Sequence, residues 1–472
     1  MALIGRKREQ SILDDCMRSD RAEFVVVYGR RRVGKTFLIK EYFNYRFSFY
    51  ATGVNAENMD KQLAYFDDSL HEYGSGEEKA TRDWREAFAK LKRLLSDENI
   101  YKDPISGKKI VFFDEMPWMD TARSDFKSAL DYFWNSWGAD QKDLILIVCG
   151  SATSWIINNI LGDKGGFYNR ITRQIYLAPF SLSECEQFFA DKNIIIGKDE
   201  IIVSYMVFGG IPYYLNLFDR RLSLTQNIDA LLFAPTGQLY YEFDRLFSSL
   251  FRKPQKHTKI INALSQIDYG LTRTEIIEKT GIADGNLLTR AIEELEQCGF
   301  IRRYKNYAKN KRVFYFQIID PFVLFCRRFI VDRKFSSWMK YRNSPGYNAW
   351  RGLAFEIVCL NHIGKIKEIL GISGIESMDY SWRSKRKAEG AQIDLLIDRS
   401  DNVINVCEMK YSDTPYAIDA EYEEKLKQKI FVFEEETQTR KTLYLTMISA
   451  SGLTHNEHSG IVVNEISGKE LF

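Results

Sequence analysis

Two stretches of this 472-residue sequence bring together residue types that act on phosphates. The first is Gly29-Arg30-Arg31-Arg32-Val33-Gly34-Lys35-Thr36, which follows the apolar run Phe24-Val25-Val26-Val27-Tyr28 and runs on into a helical stretch from Phe37. G-x-x-x-x-G-K-T between a strand and a helix is the pattern that grips a triphosphate. The glycines let backbone N–H groups fold around the phosphates, and the helix N-terminus adds positive potential. Lys35 reaches the β and γ phosphates and Thr36 offers a hydroxyl to Mg²⁺. ATP and Mg²⁺ are the expected ligands, with Gly29 to Phe37 as the contact set; a chance match is the alternative.

Lys109-Ile110-Val111-Phe112-Phe113-Asp114-Glu115 supplies a partner, an apolar strand ending in two carboxylates. Asp114 suits the Mg²⁺ shell and Glu115 the polarisation of an attacking water. A solvated strand end would look similar but leaves the pairing with the glycine loop unexplained. By spacing, Ser151 at the polar end of Leu144 to Gly150 is placed to sense the γ-phosphate. Arg170, just before the run Gln174 to Leu177, reads as an arginine finger in cis or trans, or as a plain surface ion pair.

The second stretch lies near the C-terminal end. Phe355-Glu356 sits in a helical run, Gly390-Ala391-Gln392-Ile393-Asp394 ends on an acid entering a strand, and Cys407-Glu408-Met409-Lys410 closes the next. Period two puts Glu408 and Lys410 on one strand face. Asp394 and Glu408 would converge on Mg²⁺ with the Met409 carbonyl, and Lys410 would orient a water for attack on a phosphodiester. This is the D…E-x-K arrangement of the PD-(D/E)xK nuclease-like fold, with Glu356 as its accessory carboxylate. A degenerate domain that keeps the fold for binding alone is the competing reading, although none of the four side chains is missing.

The elements needed to hold these groups define a multidomain α/β chain. Residues 1–180 alternate β-rich and helical runs, as a parallel P-loop sheet does. Residues 181–255 keep helical periodicity around Gly209-Gly210-Ile211-Pro212 and read as a helical lid. Residues 256–318 read as helices followed by two strands, a winged helix-turn-helix. A helical connector, 319–345, leads to a restriction-endonuclease-like α/β domain over 346–472. No internal repeat is visible.

The run Leu3-Ile4-Gly5-Arg6-Lys7-Arg8-Glu9, the glycine loop, Asp114-Glu115 and Gly209-Gly210-Ile211-Pro212-Tyr213-Tyr214-Leu215 resemble the prokaryotic AAA-type ATPases, archaeal and bacterial, allied to the STAND signalling class. The resemblance implies ATP hydrolysis and a lid segment near the nucleotide. It also implies a winged helix and a nuclease-like domain following the ATPase.

Composition narrows the rest. Hydrophobic residues at 45% and charged residues at 28%, with 9 prolines, describe a folded chain. No apolar run approaches the roughly 20 residues of a membrane span, and the start lacks signal-peptide features, so a soluble cytoplasmic protein is expected. Seven cysteines without a C-x-x-C pair read as buried thiols, and His455 with His458 as a solvated loop or, less simply, a zinc site. A net charge of +2 leaves nucleic-acid contacts to local clusters. These are Arg302, Arg303 and Lys305 with Lys309, Lys311 and Arg312; Arg327 and Arg328 with Arg333 and Lys334; and Arg383 with Lys385, Arg386 and Lys387. Asn286 and Arg290 would face base edges and the basic wing would face phosphates of DNA or RNA; with Glu293, Glu294 and Glu296 nearby, the module reads equally as a regulatory spacer. A homo-oligomer is possible through Arg170. A signalling or scaffolding ATPase and a DNA-binding regulator are the alternative functions.

Overall fold

Before residue 180, five short runs rich in β-branched and aromatic residues pair into one parallel sheet. They are β1 (Glu23–Tyr28), β2 (Phe49–Thr52), β3 (Lys109–Asp114), β4 (Leu144–Cys149) and β5 (Arg173–Tyr176), in the order β2-β3-β4-β1-β5. β3 and β4 are buried along their whole length, as expected of central parallel strands that read as continuous apolar runs. The helices Met59–Glu72, Trp84–Leu95 and Phe126–Ser136 cover one face, where Trp84, Phe88 and Phe126 pack edge-on and tilted against one another. The computed structural model describes residues 3–77, 79–162, 167, 169–251, 253–267, 269–307, 313–331, 336–341, 344–384 and 391–472.

The chain divides into two units, 1–179 and 180–472. The second begins with the helices Leu182–Asp191, Lys198–Phe208 and Glu242–Leu250 and the short helical pieces between them. Ser181 caps the first of these in a capping box with Glu184. Next come the helices Gln255–Ser265, Arg273–Thr280 and Asn286–Gln297 and an antiparallel sheet, β6 (Leu271–Thr272), β7 (Ile301–Lys305) and β8 (Phe314–Ile318), ordered β6-β8-β7.

After the helix Pro345–Asn361, a five-stranded mixed sheet forms from β9 (Ser377–Arg383), β10 (Gln392–Arg399), β11 (Val403–Lys410), β13 (Thr442–Ser449) and β15 (Asn464–Ser467), ordered β15-β13-β11-β10-β9. β9, β10 and β11 run antiparallel, whereas β13 and β15 lie parallel to β11. The helix Ala420–Thr437 makes the crossover from β11 to β13 that a parallel pair demands. β12 (Tyr416–Ala417) and β14 (Leu453–Thr454) form a separate parallel pair.

Three runs absent from the sequence expectations are strands of the five-stranded sheets. β2 and β15 are only four residues long, too short to stand out, and β9 carries polar or charged side chains at most positions. Among the described residues no helix is long and apolar enough to cross a membrane.

Candidate phosphate and carboxylate sites

At the carboxyl end of β1 the chain turns at Gly29 with φ 144°, a conformation natural only to glycine. A Cβ added there would lie 2.3 Å from the Leu177 carbonyl oxygen, so the loop depends on that hydrogen atom of side chain. Gly34, φ 92°, caps the helix Lys35–Tyr42 and aims its first N–H groups into the loop. Lys35 is 5% exposed and its Nζ donates to the carbonyls of Gly29 and Arg30, both at 2.9 Å. Arg6 donates to the Val33 carbonyl from outside the loop, which gives a local reason for the arginine in the opening segment.

The β3 tip lies two strands from β1, with β4 between. Thr36 Oγ1 donates to Asp114 Oδ1 at 2.9 Å, and the Glu115 N–H and the Cys149 thiol donate to the same oxygen at 3.0 and 2.8 Å. Burial pushes the Cys149 thiol well up, with the Asp114 charge adding to it, so it acts as a neutral donor. Glu115 adopts a left-handed backbone, φ 46°, a strain typical of functional positions. Its Oε2 accepts from the Ser151 N–H at 3.0 Å and the Ser151 hydroxyl at 2.8 Å. The contact recorded for Ser151 is therefore with the carboxylate expected to polarise water.

Phe37 is 36% exposed on the helix, and Arg31 and Arg32 lie at the loop crest. Arg170 is exposed in a turn before β5. The register Val25↔Arg173 through Tyr28↔Tyr176 puts that turn at the amino end of the sheet, opposite the glycine loop. A finger acting in cis is thereby corrected: the sheet length separates Arg170 from its own loop.

In the mixed sheet, the pairing Leu395↔Cys407 places Asp394 beside Glu408 on adjacent strands. Glu408 Oε1 accepts from Tyr422 Oη at 2.6 Å and pairs with Lys410 Nζ at 3.2 Å; Oε2 pairs with Lys429 Nζ at 2.6 Å. Burial works against the Glu408 charge, but the Lys429 and Lys410 ammonium groups outweigh it and hold the carboxyl below its ordinary range. Asp394 Oδ1 accepts from Gln392 Nε2 at 2.5 Å. For Asp394 burial prevails, helped by the Glu408 charge, and pushes the carboxyl up. Glu356 is half-buried on the helix packed against β11, and its charge acts on Arg302 and Cys359.

Sequence reasoning missed Tyr422 and Lys429. With Leu426 they stand at i, i+4 and i+7 on one helix face, a spacing that was there to be read. It also misjudged Arg302. That guanidinium donates to Gln317 Oε1 at 2.9 Å, to Ser381 Oγ at 3.2 Å and toward the Asp394 carbonyl at 3.5 Å, so it is built into the junction of β7 with the mixed sheet rather than offered to phosphates. Arg290 is exposed but bonded to Glu294 on its own helix, and Asn286 is exposed at that helix's start. Tyr168, Lys309, Lys311, Arg312, Arg333, Lys334, Lys385, Arg386, Lys387 and Gly390 lie outside the described residues.

All seven cysteines are buried and unbridged. His458 pairs with Glu423 and His455 with Glu465. Among the described residues no three His, Cys, Asp or Glu side chains come together to hold a metal ion, so Asp394, Glu408 and Glu356 do not form a three-carboxylate cage.

Residues 3–218 match a family model described as an ATPase domain predominantly from Archaea. An uncharacterized protein of Methanocaldococcus jannaschii is 28% identical over 332 residues, 69% of this chain and 68% of its own length. Among solved structures, a Walker-type ATPase of Pyrococcus abyssi aligns over 69% of this chain and 96% of its own, with 19% identity and a TM-score of 0.49. The ORC2 protein of Aeropyrum pernix, in ADPNP–ADP complexes, aligns over 76% of this chain and 96% of its own, with 12% identity and a TM-score of 0.44.

Proposed function

We propose that the archaeal-type ATPase domain at residues 3–218 binds ATP with Mg²⁺ and hydrolyses it. The observation that carries this reading is the 2.9 Å bond from Thr36 to Asp114, which joins the end of the glycine loop to the tip of β3. The residues present fit the group: Gly29 leaves a cradle that any Cβ would fill, and Thr36 and Asp114 are hard oxygen donors suited to Mg²⁺. When bound, Mg²⁺ neutralises charge on the β and γ phosphates. Lys35 exchanges its two loop carbonyls for phosphate oxygens. Glu115 accepts a proton from the attacking water, and Ser151, whose hydroxyl and N–H hold that carboxylate, sets its orientation. Arg170 acts only in trans, on a neighbouring copy.

To test it, steady-state ATP hydrolysis is measured for the wild type and Lys35→Ala; equal turnover in the two would remove the loop from catalysis.

The second unit is read as a helical lid, a winged helix-turn-helix and a nuclease-like domain, coupling nucleotide state to DNA or RNA. The support is the adjacency of Asp394 and Glu408 on β10 and β11, with Lys410 on the Glu408 face. A metal-dependent cleavage assay on single- and double-stranded substrates, wild type against Lys410→Ala, tests it. One observation favours the rival, a signalling or scaffolding ATPase whose C-terminal domain binds without cutting: both Glu408 oxygens already have donors.

A further inference from the structure

A nuclease-like pair should offer a cation two carboxylates with oxygens to spare. Glu408 offers none. Tyr422 and Lys410 occupy Oε1, and Lys429 sits on Oε2 at 2.6 Å with only 23% of its side chain exposed. Lys429 comes from the crossover helix, not from the strands of the D…E-x-K set, and its charge also acts on Asp394. An ammonium group paired with Glu408 and close enough for its charge to act on Asp394 takes part of the electrostatic role a divalent ion would fill. The residues as arranged therefore do not fit a resident metal.

We infer that Lys429 is an internal cation that competes with divalent metal for Glu408 and Asp394, so that the C-terminal site rests in a metal-free form. A divalent ion bound at these oxygens would lie within a few ångströms of the Lys429 ammonium, and the repulsion between them weakens metal binding. Removing the ammonium leaves two neighbouring carboxylates with Lys410 alone for compensation, and a divalent ion then relieves their repulsion. The inference rests on reading Asp394, Glu408 and Lys410 as a nuclease-like set, but metal binding and cleavage are separate readouts.

Mn²⁺ binding to the nucleotide-free full chain, followed by the electron paramagnetic resonance of the free ion, tests it. Lys429→Met gains a Mn²⁺ site roughly tenfold or more tighter than any in the wild type. Lys429→Arg keeps the positive charge and stays with the wild type, while Lys429→Met combined with Asp394→Asn loses the gain. Thr36 and Asp114 are common to all of these proteins, so binding near the glycine loop cancels in the comparison. If Lys429→Met does not fold, Lys429→Gln, which keeps a polar tip beside Tyr422, takes its place. Equal Mn²⁺ affinity in wild type and Lys429→Met, or a gain that survives Asp394→Asn, overturns the competition. Tight Mn²⁺ binding by Lys429→Met without cleavage of any nucleic acid would leave the competition standing and sink the nuclease reading instead.

Discussion

The chain carries two pairs of carboxylates at strand ends, and they are dressed in opposite ways. Asp114 and Glu115 receive hydrogen bonds from Thr36, Cys149, Ser151 and the backbone, all neutral donors, while the nearby Lys35 rests on loop carbonyls. Glu408 instead is paired with two lysines and a tyrosine, and Asp394 takes an amide. Neutral donors orient a carboxylate without cancelling its charge, so the β3 pair retains its attraction for an external cation. The β10 and β11 pair has most of that attraction satisfied from within the chain. Similar acids thus point to different resting states, and the donors around them carry the distinction.

The largest effect expected from breaking this contrast is at Glu115. Glu115→Gln keeps the Ser151 contacts available but removes the base, so turnover falls about 100-fold while nucleotide binding persists. Single-turnover hydrolysis alongside equilibrium ATP binding checks it; loss of binding in parallel would reassign Glu115 to folding of the site.

A smaller effect, on stability, is expected at the other pair. Glu408→Gln leaves the Lys429 and Lys410 charges facing each other, at a cost of about 2 kcal/mol once their partial exposure is discounted. Because the folded-state carboxyl is held below its ordinary range, its contribution is present above the unfolded value and is lost as pH falls through the folded one. Urea melts of wild type and variant should therefore converge in acid.

Asp394→Asn has the reverse sign and a smaller size. Folding pushes this carboxyl up, so its charged form is disfavoured once pH rises through the folded value, and its contribution is present below the unfolded one. The variant is more stable than wild type at neutral pH and loses that advantage in acid. Melting curves across pH decide it, and a variant less stable at neutral pH would contradict the assignment.

The glycine loop and the strands around it were legible because local chemistry dictates them: Gly29 and Gly34 need positive φ, and the apolar runs of β1, β3 and β4 have no other use than burial. In 256–318 the three helices and the strands β7 and β8 follow from period and strand-like runs, whereas β6, only two residues long, leaves no pattern to read. What stayed hidden depends on which elements meet. Ser151 and Glu115 are 36 positions apart and touch only because β3 and β4 are neighbours. Arg302 sits in a basic run that reads as a surface, and only the approach of β7 to β9 turns it inward. Lys429 lies in a helix rich in Glu and Lys, where composition masks a lysine that reaches off the helix to Glu408 on β11, while Lys425 and Lys427 pair with acids of the helix itself.

The central claim is that a triphosphate is held where β1 meets the helix Lys35–Tyr42. Calorimetric titration of the full chain with ATP in magnesium buffer tests it most directly: a saturable binding isotherm for the wild type, strongly weakened by Lys35→Ala, is the predicted result, and no saturable heat for the wild type, or an isotherm indifferent to Lys35→Ala, would contradict it.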